Sequence, residues 1–125
     1  MPVIVSCGSW QQAGWFLQRL GGTFRWHVAG IDCDGGRPVV GRWIHLVGSF
    51  DGRAARLYQD GIKVAEVAGK ATSIVWPGGL HVGQYSAAPG PAYQVLGEIA
   101  GVKLFHRVLT AMEAATTANQ PRGAM

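Results

Sequence analysis

The sequence lacks several features that identify common functional classes. No apolar run approaches the ~20 residues that a membrane-spanning helix needs. The eleven Lys and Arg residues are scattered and form no basic cluster of the kind that binds nucleic acid. We therefore expect neither a membrane nor a nucleic acid as partner. The formal net charge of +4 predicts only a weak attraction to acidic polymers, acidic polysaccharides included.

Cysteine is scarce, with Cys7 and Cys33 alone in the chain. In an exported domain the two could pair, whereas inside a cell they would stay reduced, and we expect thiols. The first five residues are too short for the apolar region of a secretory signal and have no basic start. Either the chain is cytoplasmic, or a leader and the first strands belong to a longer protein, so the sequence leaves the compartment open.

Glycine and proline, by contrast, are abundant and spread along the chain, with nineteen and six residues. A length of 125 residues with 48% apolar content fits one globular domain over residues 1–125. Such a domain buries roughly two-thirds of its unfolded surface. Short apolar runs between Gly and Pro residues predict about ten strands in an all-β sandwich.

The stretch from Trp43 to Val67 carries the strongest local pattern. Asp51-Gly52 and Asp60-Gly61 each separate runs of alternating apolar and polar residues, which is typical of tight hairpins. The sequence therefore predicts three antiparallel strands in a meander. With a two-residue turn at Asp60-Gly61, the expected facing pairs are Gln59 with Ile62, Tyr58 with Lys63, and Leu57 with Val64.

Side chains alternate across a strand, so this register also predicts two faces of the meander. One face is apolar and should pack on a second sheet; it contains Ile44, Leu46, Leu57, Ile62 and Val64. The other face is mixed and contains His45, Val47, Arg56, Tyr58 and Lys63.

The rest of the chain is interpreted as shorter elements. Strands are predicted at residues 2–6, 11–20, 23–28, 39–40, 80–82 and 94–108, the last with a bulge at Gly101. Residues 7–9 should break the first strand, Gly21-Gly22 should form a hairpin turn, and residues 31–36 should run into a turn. One helix is expected from a Thr110–Glu113 capping box to Asn119, before Pro121.

Three pieces of the chain resemble a known family. They are Trp43-x-His45-Leu46-Val47 with Phe50-Asp51-Gly52 and Arg56-Leu57-Tyr58-x-Asp60-Gly61, then Gly79–Gly83, then Gly97–Thr110. In this order they resemble the laminin-G-like jelly rolls of the concanavalin A-like lectin/glucanase superfamily, over roughly residues 24 to 115. The resemblance implies an antiparallel jelly-roll β-sandwich, with Trp43 as the family's buried Trp. The short C-terminal helix that completes the predicted fold follows from the capping box. The resemblance also implies an extracellular setting, which is usual for the family.

The first strands of the family are shortened or missing in this sequence. Two further departures are Ala100 in place of an Asp and Gln59 in place of an aliphatic residue. Without a first strand, the closing strand over residues 94–108 would present unpaired N–H and C=O groups. We therefore expect a homo-oligomer, or a domain completed by a partner protein.

Glucanases of this superfamily carry a Glu-x-Asp-x-x-Glu strand, and retaining hydrolysis needs two carboxylates about 5–5.5 Å apart. None of the acids of this chain forms that pattern: Asp32, Asp34, Asp51, Asp60, Glu66, Glu98 and Glu113. A Gly-x-Ser-x-Gly motif is also missing. We expect a protein that is not an enzyme.

Metal binding has weak sequence support. The histidines, His27, His45, His81 and His106, flank apolar residues without metal-ligand spacing, and we expect them half-exposed on outer faces. Asp32-x-Asp34-Gly35 resembles the start of a calcium loop but lacks the later positions of an EF-hand. No cofactor is expected to be required, and a calcium ion on the sandwich rim, as laminin-G-like domains often hold, stays an alternative.

Carbohydrate recognition is the sharpest functional hypothesis, because sugars stack their C–H faces on aromatic rings. Aromatics in or near predicted loops are Trp10, Trp15, Trp76, Tyr85 and Tyr93. Of these, Trp76, Tyr85, Tyr93 and Trp10 are the candidate ligand contacts, whereas Trp26 and Trp43 should be core residues. The sequence thus predicts a non-catalytic, lectin-like module that binds a glycan through rim loops. The alternative is a protein-interaction or assembly module acting through an unpaired sheet edge, and a glycoside hydrolase fragment is disfavoured.

Overall fold

A computed structural model of the chain describes residues 2–9, 13–69, 80–83, 95, 98–103 and 110–118. Within those residues it contains eight strands and one helix. They are β1 (Val3–Ser9), β2 (Ala13–Leu20), β3 (Thr23–Val28), β4 (Ile31–Gly35), β5 (Leu46–Phe50), β6 (Ala54–Gln59), β7 (Ile62–Ala68), β8 (His81–Val82) and α1 (Ala111–Ala118).

The strands form two antiparallel sheets, of five strands in the order β4-β3-β2-β1-β8 and of three strands in the order β5-β6-β7. With one short helix near the C-terminus, this arrangement confirms the predicted all-β, jelly-roll sandwich. The described residues contain no helix long and apolar enough to span a bilayer.

The five-stranded sheet confirms one predicted hairpin and corrects two other predictions. Gly21 and Gly22 connect β2 to β3, with Leu20 opposite Thr23. Residues 7–9 do not break the first strand, because they pair with residues 13–15 and extend β1 to Ser9. Residues 31–35 form a full strand rather than a run into a turn, because every one of them pairs with β3.

The three-stranded sheet is the predicted meander. Asp60 and Gly61 have positive φ, as a tight two-residue turn requires, and Gln59 faces Ile62 as expected. The predicted pairing of Leu57 with Val64 is wrong, since Leu57 faces Ala65. A β-bulge next to this pair shifts the register by one residue, so that Glu66 faces Arg56 further along the strands.

The core lies between the two sheets, where the predicted apolar face of the meander packs on the larger sheet. From the larger sheet it contains Phe24, Trp26, Val28, Ile31 and Cys33; from the meander it contains Ala55 and Leu57, with Ile44, Leu46 and Val64 against them. Ile62 was expected on this face but is 69% exposed, because it lies on the edge strand directly after the turn.

Cys33 lies at the contact between the sheets, where its Sγ donates to the Ala55 carbonyl at 3.4 Å. Burial raises the pKa of this thiol, and the nearby Asp34 carboxylate adds to the effect. Cys7 and Cys33 are not joined in a disulfide, as the sequence analysis expected.

Three further predictions can be compared with the described residues. Val39 and Val40 lie in an exposed loop rather than a strand. The predicted strand at 80–82 is present as β8 and pairs with β1. Val95 and residues 98–103 are not in a strand, so the predicted closing strand is wrong over those residues, and the rest of 94–108 lies outside the described part.

Helix α1 begins with the predicted capping box. The Thr110 N–H donates to Glu113 Oε1 and the Glu113 N–H donates to Thr110 Oγ1, both at 3.1 Å. The helix packs on the β6–β7 turn, where a Cβ built on Gly61 would lie 2.9 Å from the Ala115 Cα. The predicted helix end at Asn119 lies outside the described residues.

Candidate functional site

The loop of residues 36–45, here called the rim loop, connects β4 to β5 across one end of the sandwich. Its first half is fixed by hydrogen bonds to Gln59, the last residue of β6. The Arg37 N–H donates to Gln59 Oε1, and Gln59 Nε2 donates to the Arg37 carbonyl, both at 2.8 Å. Thr23 Oγ1 also donates to the Gly36 carbonyl at 3.3 Å.

The second half of the rim loop is fixed by Asp60, the first residue of the β6–β7 turn. Asp60 Oδ1 accepts from the His45 N–H at 2.9 Å, and Asp60 Oδ2 accepts from Arg42 Nη2 at 2.6 Å. The Asp60 N–H in turn donates to the His45 carbonyl at 2.8 Å. This single turn residue therefore holds the loop backbone and one loop side chain, so the loop presents its side chains from a fixed frame.

Trp43 lies on this fixed loop between Arg42 and His45, and it is 42% exposed. The prediction that Trp43 is a core residue is therefore wrong. The physical reason is that β5 begins only at Leu46, so Trp43 lies on the rim before the strand enters the sandwich. The core position above the meander is filled by Trp26, whose ring packs directly on Gly48.

The rim loop combines the exposed Trp43 with charged hydrogen-bonding groups. The Arg42 side chain is 57% exposed and the Asp60 side chain is 33% exposed, and the two form an ion pair. An exposed tryptophan on the same loop as a guanidinium–carboxylate pair offers stacking together with donors and acceptors. The arrangement suits a ligand that has both C–H faces and hydroxyl groups. Sequence reasoning missed this site because Trp43 was matched to a buried family position.

His45 closes the rim loop and carries an unusual polar group. Its Nδ1 atom is buried and has no hydrogen-bond partner. Burial lowers the pKa of His45; the Asp60 carboxylate opposes this shift and Lys103 adds to it. The imidazole is therefore held in its neutral form more strongly than an exposed histidine would be.

A second polar group of residues lies on β3 and β4, on the face of the larger sheet opposite the core. Arg25 binds both carboxylate oxygens of Asp34, at 2.8 and 2.9 Å, and this hydrogen bonding raises the pKa of the guanidinium. His27 Nδ1 lies 2.7 Å from Asp32 Oδ1, and its ring stacks on Phe16 at 4.7 Å. The expectation of a half-exposed outer-face histidine is wrong for His27, which is buried.

This geometry bears on the metal hypotheses. The carboxylates of Asp32 and Asp34, which resembled the start of a calcium loop, are engaged by basic side chains. In the part of the chain that the structure describes, no three His, Cys, Asp or Glu side chains are grouped so that they could hold a metal ion. His106 lies outside the described residues. Rim calcium stays a prediction.

Asp51 and Glu66 bind backbone N–H groups or basic side chains. Asp51 Oδ1 accepts from the Arg53 and Ala54 N–H groups, both at 2.8 Å, and its Oδ2 accepts from Arg56. The Arg56 bond, with the two N–H groups, holds the pKa of Asp51 well below its usual range. The pKa of Glu66 is lowered by Lys63 and Arg56. These carboxylates are turn and strand anchors.

The four predicted ligand contacts, Trp10, Trp76, Tyr85 and Tyr93, all lie outside the described residues. The structure does place two other tryptophans. Trp26 is a core residue, as predicted, and Trp15, which the sequence placed near a loop, is buried on β2 with its ring 5.9 Å from that of Trp26. Among the described tryptophans, Trp43 is therefore the exposed one.

Comparison with known proteins gives three findings. The protein-family model of a laminin-G-type domain, described as the concanavalin A-like lectin/glucanases superfamily, matches residues 2–115. A crystal structure of an S-layer domain-containing protein (residues 221–444) from Clostridium thermocellum is similar with a TM-score of 0.49 and 20% identity. The match covers 95% of this chain and 63% of that one, so the chain spans less than two-thirds of its length. No curated protein matches the sequence.

Proposed function

Because this chain belongs to the concanavalin A-like lectin/glucanase superfamily, we propose that it is a non-catalytic binding module that recognises a glycan through its rim. The observation that carries the proposal is the exposed Trp43 on a loop that Asp60 and Gln59 hold in place. A rigid aromatic platform loses little side-chain entropy on binding, and the fixed loop avoids an ordering cost. Family membership alone would not give this function, since one fold hosts many.

Two features of the site favour a glycan over an extended peptide or an apolar ligand. Arg42 and Asp60 together supply N–H donors and a carboxylate acceptor on the same rim, which suits neighbouring sugar hydroxyls. The same loop holds its own backbone groups in bonds to Gln59 and Asp60, so fewer of them remain for pairing with a peptide strand. The predicted contacts Trp76, Tyr85, Tyr93 and Trp10 would extend such a surface.

The proposal of a non-catalytic role is supported by the use of the acids. Six of the seven acids are engaged: Asp32, Asp34, Asp51, Asp60 and Glu66 each bind an Arg, Lys or His side chain, and Glu113 binds the helix N-terminus. Glu98 is exposed. Proton donation to a leaving group needs a carboxyl group of raised pKa. Asp51 and Glu66 are shifted the opposite way. A setting outside the cell or on its surface is proposed from the family alone.

The test is a broad glycan array probed with the purified chain, once with calcium and once with EDTA. We expect reproducible binding to one glycan class by the wild type, and a loss of at least about tenfold in Trp43→Ala, since one buried aromatic contact is worth ~1.4 kcal/mol or more. Val82→Ala, which trims an exposed apolar side chain on β8, is the matched control and should bind as the wild type does.

Circular dichroism of both variants should match that of the wild type, so a loss of binding reports on the site. Loss of binding in EDTA would add the rim calcium to the proposal. Binding that survives Trp43→Ala but is lost in Trp76→Ala or Tyr85→Ala would move the site to the other predicted loops. A blank array in both buffers would refute glycan binding and favour the assembly module.

A further inference from the structure

Strand β7 forms one edge of the three-stranded sheet, and among the described strands β6 is its one hydrogen-bonded neighbour. Both ends of the strand are accessible, and Val64 and Ala65 in its middle are half-buried. Ile62 is 69% exposed, the Lys63 and Glu66 side chains are 49% and 41% exposed, and Val67 and Ala68 are exposed as well. An accessible edge strand can accept a further strand through its outward N–H and C=O groups.

The backbone groups of Lys63 point away from β6. Gln59 and Ile62 directly flank the two-residue turn and so occupy the hydrogen-bonded position that closes it. Hydrogen-bonded and non-hydrogen-bonded pairs alternate along an antiparallel ladder. The next pair, Tyr58 and Lys63, is therefore non-hydrogen-bonded, and the Lys63 N–H and C=O face outward.

The backbone groups of Glu66 point outward too, as the other end of the ladder shows. The Gly69 N–H donates to the Arg53 carbonyl at 2.9 Å, which makes that pair hydrogen-bonded. Counting three pairs back along the same register reaches Arg56 and Glu66, which are non-hydrogen-bonded. The β-bulge between the two regions explains how residues three apart share one orientation.

We propose that β7 pairs with β7 of a second copy of this chain, antiparallel, with Lys63 opposite Glu66 of the other copy. Two-fold symmetry makes this contact twice, and it pairs the outward N–H and C=O groups of both residues. Ile62 then faces Val67 of the other copy, and the Val64–Ala65 segments meet at the symmetry axis. The two three-stranded sheets become one continuous sheet.

Charge favours a copy of this chain over another strand, and it favours this register over its neighbours. Lys63 and Glu66 lie on the same face, where their side chains already form an ion pair at 3.1 Å. Of the registers that pair Lys63 and Glu66 with each other or with themselves, the two alternatives place Lys63 opposite Lys63 or Glu66 opposite Glu66. Registers through Ala68, whose groups also face outward by the same count, make no opposite-charge pair. Like charges directly opposite are unfavourable. A lysine on an edge also discourages strands that carry no matching acid.

The test is sedimentation equilibrium of the whole chain over a wide concentration range. Since a single seven-residue strand of each copy makes the contact, we expect a concentration-dependent dimer rather than a permanent one. Lys63→Glu and Glu66→Lys should each weaken the dimer about tenfold or more, because each puts two like-charge pairs across the axis. The double variant K63E/E66K restores opposite charges and should recover the dimer.

Arg19→Glu is the matched control, since it makes the same charge change at an exposed residue of β2, in the other sheet, and should leave the dimer unchanged. Lys63→Pro removes an outward N–H without removing a β6 hydrogen bond, and it should abolish the dimer in a chain that keeps its circular dichroism. A wild type that stays monomeric at its solubility limit would overturn the proposal. So would a dimer indifferent to both charge reversals but lost in Lys103→Pro, which would place the contact at residues 94–108.

Discussion

Asp60 shows how much of this domain depends on single side chains. One residue takes the positive φ of a tight turn, accepts from the His45 N–H and pairs with Arg42. Asp51 does similar work at the other meander turn, where it accepts from two backbone N–H groups and from Arg56. Three of the seven acids in the chain, Asp51, Asp60 and Glu113, accept from backbone N–H groups.

His45 gives a prediction at this scale. Its folded pKa is lowered by burial, so between the folded value and the unfolded value of about 6.5 the unfolded chain binds more protons. The contribution of neutral, buried His45 to the unfolding free energy is therefore complete above about pH 6.5 and is lost as the pH falls through the folded pKa. We expect the unfolding free energy of His45→Phe to depend less on pH than that of the wild type.

Urea unfolding of both proteins at about pH 8 and at about pH 5 measures this difference. The replacement also removes the buried Nδ1 that has no partner, so the variant should fold. Parallel pH profiles for the two proteins would contradict the assigned cause.

At the scale of elements, hairpins and the helix start follow local chemistry. Gly21-Gly22 and Asp60-Gly61 form turns because glycine adopts positive φ without steric cost, and both turns are where the sequence predicts them. The Thr110–Glu113 box forms because each side chain reaches the N–H of the other residue. Such contacts span few residues and need no distant partner.

Helix α1 therefore allows a local test. Thr110→Ala removes the Oγ1 acceptor of the Glu113 N–H and should cost about 0.5–2 kcal/mol of helix stability. Thr116→Ala is the control: its hydroxyl only bonds back to the Met112 carbonyl, so its loss should be neutral or slightly stabilising. Amide hydrogen exchange in residues 111–118 distinguishes the two, and equal protection in both variants would count against the cap.

At the scale of the whole molecule, the two sheets approach closely at positions without side chains. A Cβ at Gly48 would lie 2.5 Å from Cδ2 of Trp26, and one at Gly35 would lie 2.8 Å from the Ala65 Cβ. Trp26 is further held by a hydrogen bond from Nε1 to the Ser49 carbonyl at 3.0 Å. The indole therefore lies flat on the meander backbone, and its neighbour on β5 has to be glycine.

Gly48→Ala tests this packing. The added methyl group must displace the Trp26 ring, and overpacking of this kind typically costs about 1–3 kcal/mol. Gly22→Ala is a matched control in an open turn, where nothing lies within 4 Å of the added group. We expect the urea midpoint to fall clearly in Gly48→Ala alone. Equal midpoints would mean that the sheets can separate to accept a methyl group.

The sequence by itself determined the fold class, the meander, the turns at Gly21-Gly22 and Asp60-Gly61, and the capped helix. These features follow from alternation, positive φ and capping, which act within a few residues. Tertiary structure decided the rest. The bulge opposite Leu57 shifted the predicted register, and pairing with β3 made residues 31–35 a strand. Neither is visible locally, since each depends on a neighbouring strand.

The same distinction applies to the candidate site. Trp26 directly precedes a histidine, and Trp43 is separated from a histidine by one residue, so the local sequence does not tell them apart. Only the packing of the two sheets decided that Trp26 fills the space over Gly48 and that Trp43 stays on the rim. The physical reason is that turns depend on the conformational preferences of neighbouring residues, whereas burial of a side chain depends on which residues, distant in sequence, pack against it.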